Sequence, residues 1–173
     1  RDLLWMAERR AGRPFGKRRV IRSGRRMSAV DVAVGEGRDI VVAYRRAGRL
    51  EARWSRAGGR LEGPQALGPT DDLTNVEAAV ARTGRMVVVW GSQDGGIEAN
   101  EPYVVRAAVR AAGPRGFRPA VTVDPGGAAL RPEGPVRAAL APGGTGVVAW
   151  TAAERSGQAM RFPVRAAAVD GSA

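Results

Sequence analysis

Val30-Asp31-Val32-Ala33-Val34 runs through a Gly-marked turn to Ile40-Val41-Val42-Ala43-Tyr44, and the phrase then returns twice. Val76-Glu77-Ala78-Ala79-Val80 leads to Val87-Val88-Val89-Trp90, and Val136-Arg137-Ala138-Ala139-Leu140 leads to Val147-Val148-Ala149-Trp150. Each copy is a strand of small apolar residues, a turn, and a bulkier strand ending in an aromatic. Short β-branched runs bounded by Gly and Pro read as strands. A phrase that recurs every few tens of residues predicts a tandem array of small, similar sheets.

Working outward, each aromatic is followed by a third strand, a Gly/Pro corner and a fourth strand. In the first full copy these are Leu50–Ser55, Ala57-Gly58-Gly59 and Leu61–Leu67. In the second they are Val104–Val109, Gly113-Pro114-Arg115-Gly116 and Phe117–Val123. The N-terminal stretch carries such a second half alone, Leu3–Ala7 and then Phe15–Ile21, and the C-terminal stretch stops after a third strand ending at Val169. Pro and Gly interrupt every window long enough for an amphipathic helix. The aromatics lie 46 and 60 residues apart, with the excess in the loops 91–102 and 152–162 and the connector 125–135.

Four antiparallel strands in about 40 to 45 residues or more is the arithmetic of a propeller blade. The expected fold is therefore an all-β, partial β-propeller of about three to three and a half four-stranded blades. The expected units are a half-blade over 1–25, blades over 28–69 and 73–125, and a partial blade over 126–173. The first strand of each unit is the smallest in side-chain volume, which suits the crowded inner end of a blade. The aromatics Tyr44, Trp90 and Trp150, with Trp5 and Trp54 in third strands, are expected in the core. Fewer than four blades do not close a ring, so the remaining blades would come from further sequence or from a second copy.

These strand-plus-aromatic units, with the corners 56–61, 10–15 and 112–117, resemble the bacterial β-propeller repeats related to the sialidase and Asp-box superfamily. Ser92-Gln93-Asp94-Gly95-Gly96 matches the first five places of the S-x-D-x-G-x-x-W turn of that superfamily, but Ala99 stands where its Trp would be. The resemblance implies a ligand face formed by the loops entering the first strands and joining the second to the third. On it would lie Asp31, Glu77 and Arg137, each at the second place of its first strand, with Asp71, Asp72, Asp94 and Tyr103. A secreted or cell-surface setting is the expectation, although no signal peptide is visible in the sequence.

Composition narrows the chemistry. The 173 residues include no Cys and no His. That removes disulfides, thiolate nucleophiles, the commonest general base and the commonest metal ligands. Only a hard ion held by oxygen remains as a metal, and the acidic loop with Asp94, Glu98, Asn100 and Glu101 lacks the ordered spacing of a calcium loop. No cofactor or metal is expected. No run approaches the 18 apolar residues of a membrane span. Gly and Pro, 24 and 11 residues, fit a fold rich in turns.

The formal charge is +11, and residues 1–26 hold ten of the 28 basic side chains against two acidic ones. Arg18, Arg19 and Arg22 are candidate contacts for a polyanion, although nearly every cation in the chain is Arg and nucleic acid is the disfavoured partner. Sialidase-like hydrolysis would need a Tyr nucleophile, and only Tyr44 and Tyr103 exist. The expected function is a non-catalytic scaffold that binds a polar ligand, a carbohydrate or a protein. Alternatives are part of a glycoside hydrolase propeller, and a basic polyanion-binding surface over residues 9–26.

Overall fold

A computed structural model describes residues 1–9, 12–70, 72–93, 103–113, 115–124, 135–152, 154–156 and 159–169. The fold is all-β, and every pairing is antiparallel. The first sheet pairs β1 (Asp2–Met6) with β2 (Arg19–Gly24). The second has the order β3 (Met27–Val34), β4 (Ile40–Arg46), β5 (Arg49–Ser55), β6 (Gln65–Pro69). The third repeats it with β7 (Asp72–Val80), β8 (Met86–Gln93), β9 (Tyr103–Arg110) and β10 (Val121–Asp124). The fourth joins β11 (Arg137–Leu140), β12 (Gly146–Thr151) and β15 (Val164–Val169), and a separate hairpin pairs β13 (Glu154–Ser156) with β14 (Ala159–Arg161). Among the described residues no helix is long and apolar enough to cross a membrane.

The sheets pack face to face in chain order. Leu50, Ala52 and Trp54 of β5 meet Met86, Val88 and Trp90 of β8. Val105 and Ala107 of β9 meet Val148 and Trp150 of β12 in the same way. Leu4 and Met6 of β1 lie against Ile40, Val42 and Tyr44 of β4. Each second strand therefore turns its terminal aromatic toward the preceding sheet. Tyr44, Trp90 and Trp150 occupy matching places in three successive cores, and all three are buried. Period-two alternation lets the intervening residues of β4 and β8, such as Val41 and Val87, face the following sheet.

The turns between first and second strands also repeat. The amides of Gly35, Ala81 and Ala141 donate to the carbonyls of Asp39, Arg85 and Thr145. The amides of Arg38, Gly84 and Gly144 donate back to the carbonyls of Gly35, Ala81 and Ala141. The fourth place of each turn has positive φ: 63° at Arg38, 82° at Gly84 and 96° at Gly144. Successive turns also touch. A Cβ on Gly84 would lie 2.9 Å from Asp39 Oδ2, and one on Gly144 would lie 2.9 Å from Arg85 Cδ. Glycine at these two places avoids the strain that a positive φ imposes on Arg38 and spares the neighbouring side chain a shift.

Three expectations need correction. The fourth strands begin later than Leu61, Phe117 and Phe15. Leu61 and Phe117 are instead buried anchors, each followed by one backbone bond (Glu62 N–H to Trp54 O, Arg118 N–H to Val109 O). Pro64 and Pro119 come next and cannot donate to a ladder, so pairing starts at Gln65 and Val121. The stretch 152–162, expected as a loop, contains the β13–β14 hairpin, closed at its base by the Ala152 amide on the Pro163 carbonyl. Trp5 is not core. It is 46% exposed, because no further sheet covers the two-stranded first sheet among the described residues.

Gly84→Ala and Gly144→Ala should each destabilise the protein by about 1–3 kcal/mol. Gly63→Ala, which has open space around it and ordinary φ, should stay within about 0.5 kcal/mol of the parent in urea unfolding. The β4–β5 turn places Ala47 and Gly48 at φ 48° and 76°, the conformation that Asn-Gly prefers. Ala47→Asn is therefore expected to raise stability by about 0.5–1 kcal/mol in the same assay.

Candidate functional site

The first strands of three sheets, β3, β7 and β11, each form one edge of a sheet, and they stand side by side without pairing to one another. An edge strand leaves peptide N–H groups without a ladder partner. Side chains from the preceding edge strand supply the acceptors. The Ala78 amide donates to Asp31 Oδ2 at 2.6 Å, and the Val136 amide donates to Asn75 Oδ1 at 3.2 Å. Arg137 Nη1 donates to Glu77 Oε2 at 2.8 Å. The result is a polar seam of Asp31, Asn75, Glu77 and Arg137 running across three sheets.

The sequence places Asp31, Glu77 and Arg137 at one repeat position, and the structure brings them into this seam. Asp31 is half-buried and committed to a backbone amide. The Arg137 side chain is 65% exposed and that of Glu77 is 25% exposed, so this ion pair opens onto solvent. An exposed pair of this kind contributes only about 0–1 kcal/mol to stability. Arg137 can therefore exchange partners with a ligand at little cost to the fold. Asn75 escaped the sequence reading. The only signal was its place just before Val76, where Ala29 and Pro135 stand in the other copies.

The remaining candidates are not gathered here. Asp71 and Asp94 lie outside the described residues, and so do Glu98, Asn100 and Glu101. Asp72 pairs with Gln93 at the start of β7. Tyr103 is buried between the third and fourth sheets, not exposed at a mouth. Its hydroxyl crosses Gly91, where any Cβ would collide with the ring. Among the described residues no group of His, Cys, Asp or Glu is placed to hold a metal ion.

The basic candidates do not form one row. The Arg18 guanidinium lies 5.4 Å from the centre of the Trp5 ring, and Arg19 pairs with Glu8 at 2.6 Å. Arg22 points inward to Glu51 at 3.1 Å, which Arg46 also holds at 3.1 Å. This cluster between the first two sheets was invisible in the sequence, because its members come from three strands. Burial alone would raise the Glu51 carboxyl, but the hydrogen bonds from Arg22 and Arg46 and the neighbouring Tyr44 hydroxyl outweigh it and hold the group below its ordinary value. The Tyr44 hydroxyl is pushed well above its usual value by burial first and by the Glu51 carboxylate second.

A second buried guanidinium, Arg110, closes the opposite end of the sheets. It donates to the carbonyls of Gly84, Ala111 and Gly113 and lies 5.6 Å from the centre of the Trp54 ring. Desolvation, reinforced by Arg56, lowers its affinity for the proton. Carbonyl oxygens take the place of a carboxylate partner, so its role is to cap the turns.

No family model, curated protein or solved structure matches the chain. The site is therefore read from its own geometry.

Glu51 yields a pH prediction. Because its folded pKa is depressed, its contribution to stability is complete above the ordinary carboxylate value of 4.5 and fades as pH falls below it. Glu51→Gln should lower the thermal midpoint at neutral pH. The same variant should lose less than the parent between neutral pH and pH of about 3, as followed by circular dichroism.

Proposed function

We propose that the sheets are blades of a β-propeller and that the chain is a non-catalytic scaffold. Its inner-strand seam would meet a polar ligand, such as a glycan, or a polar loop of a protein. The observation that supports this best is the seam itself. Inner edges meet inner edges across three sheets, and the seam ends in an Arg–Glu pair open to water. A carboxylate or a vicinal diol could displace Glu77 from Arg137 and keep charge-assisted hydrogen bonds throughout.

The hydrolase alternative finds little support in the placement of the tyrosines. Both are buried, and the Tyr44 hydroxyl is held protonated by its surroundings. The polyanion alternative is weakened by the partners that Arg18, Arg19 and Arg22 already have.

A glycan microarray carrying sialylated and uronic-acid glycans tests the reading. Saturable binding that falls about tenfold or more in Arg137→Ala is the expected result, on the scale of one charge-assisted hydrogen bond. Turnover of a fluorogenic sialoside by the same protein would replace the scaffold reading with the hydrolase one.

A further inference from the structure

The face of β3 turned toward the first sheet carries a row of exposed valines. Val30, Val32 and Val34 are 52%, 57% and 65% exposed. The same places in β7 and β11 are covered. Val76, Ala78 and Val80 pack into the core between the second and third sheets, and Val136, Ala138 and Leu140 into the next. A cavity of about 1100 Å³ lies over the three valines, and Leu4, Met6 and Val42 complete its apolar floor and wall.

This groove is polarised. The Met27 amide donates to Asp2 Oδ2 at 3.0 Å, so β1 and β3 start at one end. Met6 and Ile40 share a core, so the two strands finish together at the other. At that finishing end the lining carries Arg9 and Arg13, from the chain that follows β1, and Arg38, from the turn that follows β3. Among the described residues none of the three pairs with a carboxylate. The carboxylate on the lining, Glu8, is held by Arg19 at 2.6 Å.

Arg38 is the informative member. Its φ is 63°, at a turn place that Gly84 and Gly144 fill in the next two sheets. A side chain there carries backbone strain that glycine avoids. Its guanidinium lies over Gly58, where a Cβ would come within 2.8 Å of Nη2. A strained place and a cleared glycine thus present a cation at the head of an apolar trough.

We propose that the groove binds an unbranched fatty carboxylate, with its head group among Arg9, Arg13 and Arg38 and its alkyl chain along Val34, Val32 and Val30. Sites for small ligands are apolar concavities of this order of size with a few placed polar groups. Charge complementarity chooses the head, since a guanidinium receives a carboxylate through paired hydrogen bonds. The valine row chooses the tail. At the strand rise of about 3.3 Å per residue, it runs for roughly 13 Å from Val30 to Val34. Its side chains offer neither donor nor acceptor. A peptide laid along them would bring amides over groups that cannot pair with them, whereas an alkyl chain brings none. The groove shares no residue with the seam of Asp31, Asn75, Glu77 and Arg137, so the inference does not rest on the scaffold reading.

Trp5 lines this groove, whereas Trp54, Trp90 and Trp150 lie in other cores. Dibromostearate, kept below its micelle-forming concentration, should therefore quench part of the tryptophan emission saturably, and Trp5→Phe should abolish that part. Dodecanoate should displace the probe at least tenfold more strongly than dodecanol. Each methylene added between octanoate and dodecanoate should tighten binding about threefold. Arg38→Gly should weaken dodecanoate binding about fivefold or more, while its urea midpoint stays at or above that of the parent, because glycine suits the positive φ. Val32→Asp, at an exposed position, should weaken it at least tenfold. Non-saturable quenching, equal displacement by the acid and the alcohol, or unchanged binding in either variant would overturn the proposal. So would sedimentation showing that the protein self-associates and loses the probe as it does, since a second copy would then fill the groove. None of these readouts involves a glycan, so a failure here and a failure of the scaffold reading are told apart.

Discussion

Peptide N–H groups at the β7 edge of the third sheet and the β11 edge of the fourth face a neighbouring strand that offers them no ladder. Leaving a buried amide unpaired costs on the order of 1–3 kcal/mol, so this constraint shapes what these edge strands can be. They must be close enough for a short side chain to cross, and they must carry that side chain at the right place. Asp31 and Asn75 satisfy the second need. Small residues satisfy the first: with Ala at 33, 78, 79, 138 and 139, successive sheets approach without a bulky layer between them. Gly84 and Gly144 do the same for the turns, where a single methyl group would strike the side chain of the preceding turn.

Much of this was legible because it repeats. The phrase beginning at Val30, Val76 and Val136 specified the first two strands of three sheets, and the third strands followed from the Gly-marked turns. What escaped was decided by proline and by distance. Leu61 and Phe117 look like strand starts because they are large and apolar, yet their backbones leave the ladder until Pro64 and Pro119 have passed. The β13–β14 hairpin is three residues on each side, too short to show a period. At the site, the common repeat position of Asp31, Glu77 and Arg137 was readable, but their different duties were not. One binds an amide and two bind each other, and only the spacing of the sheets decides that. Tyr103 misled because its burial depends on a glycine twelve residues away that makes room for its ring.

The arginines illustrate why net charge is a poor guide here. Nearly every basic residue is Arg, and the structure uses many of them as multi-donor clamps between sheets. Arg53 reaches the carbonyls of Ile21, Leu61 and Glu62, tying the second sheet to the first. Arg110 closes three turn carbonyls, while Arg22 and Arg46 converge on Glu51. Gln65 does the equivalent work without charge, accepting from the Phe117 amide and donating to the Phe117 carbonyl across the next gap. A chain with few large hydrophobics has limited apolar area at each sheet interface, and backbone-directed donors supplement it at the rims.

This division of labour also explains why the charged groups cluster where they do. Guanidinium groups are the most weakly hydrated of the cationic side chains, so they can be drawn partly into an interface when several oxygens receive them. Lysine, a compact and strongly hydrated cation, would not be received as readily, and Lys17 sits in an exposed stretch outside the strands. The exposed arginine at the seam differs from these clamps. Among the described residues Arg137 has one carboxylate partner, no carbonyl clamp and most of its surface in water. Arg53 and Arg110 are held by several carbonyls, whereas Arg137 is held by an ion pair that water and a competing anion can both break. Among the residues of the seam, it is the one whose removal should leave the stack of sheets intact.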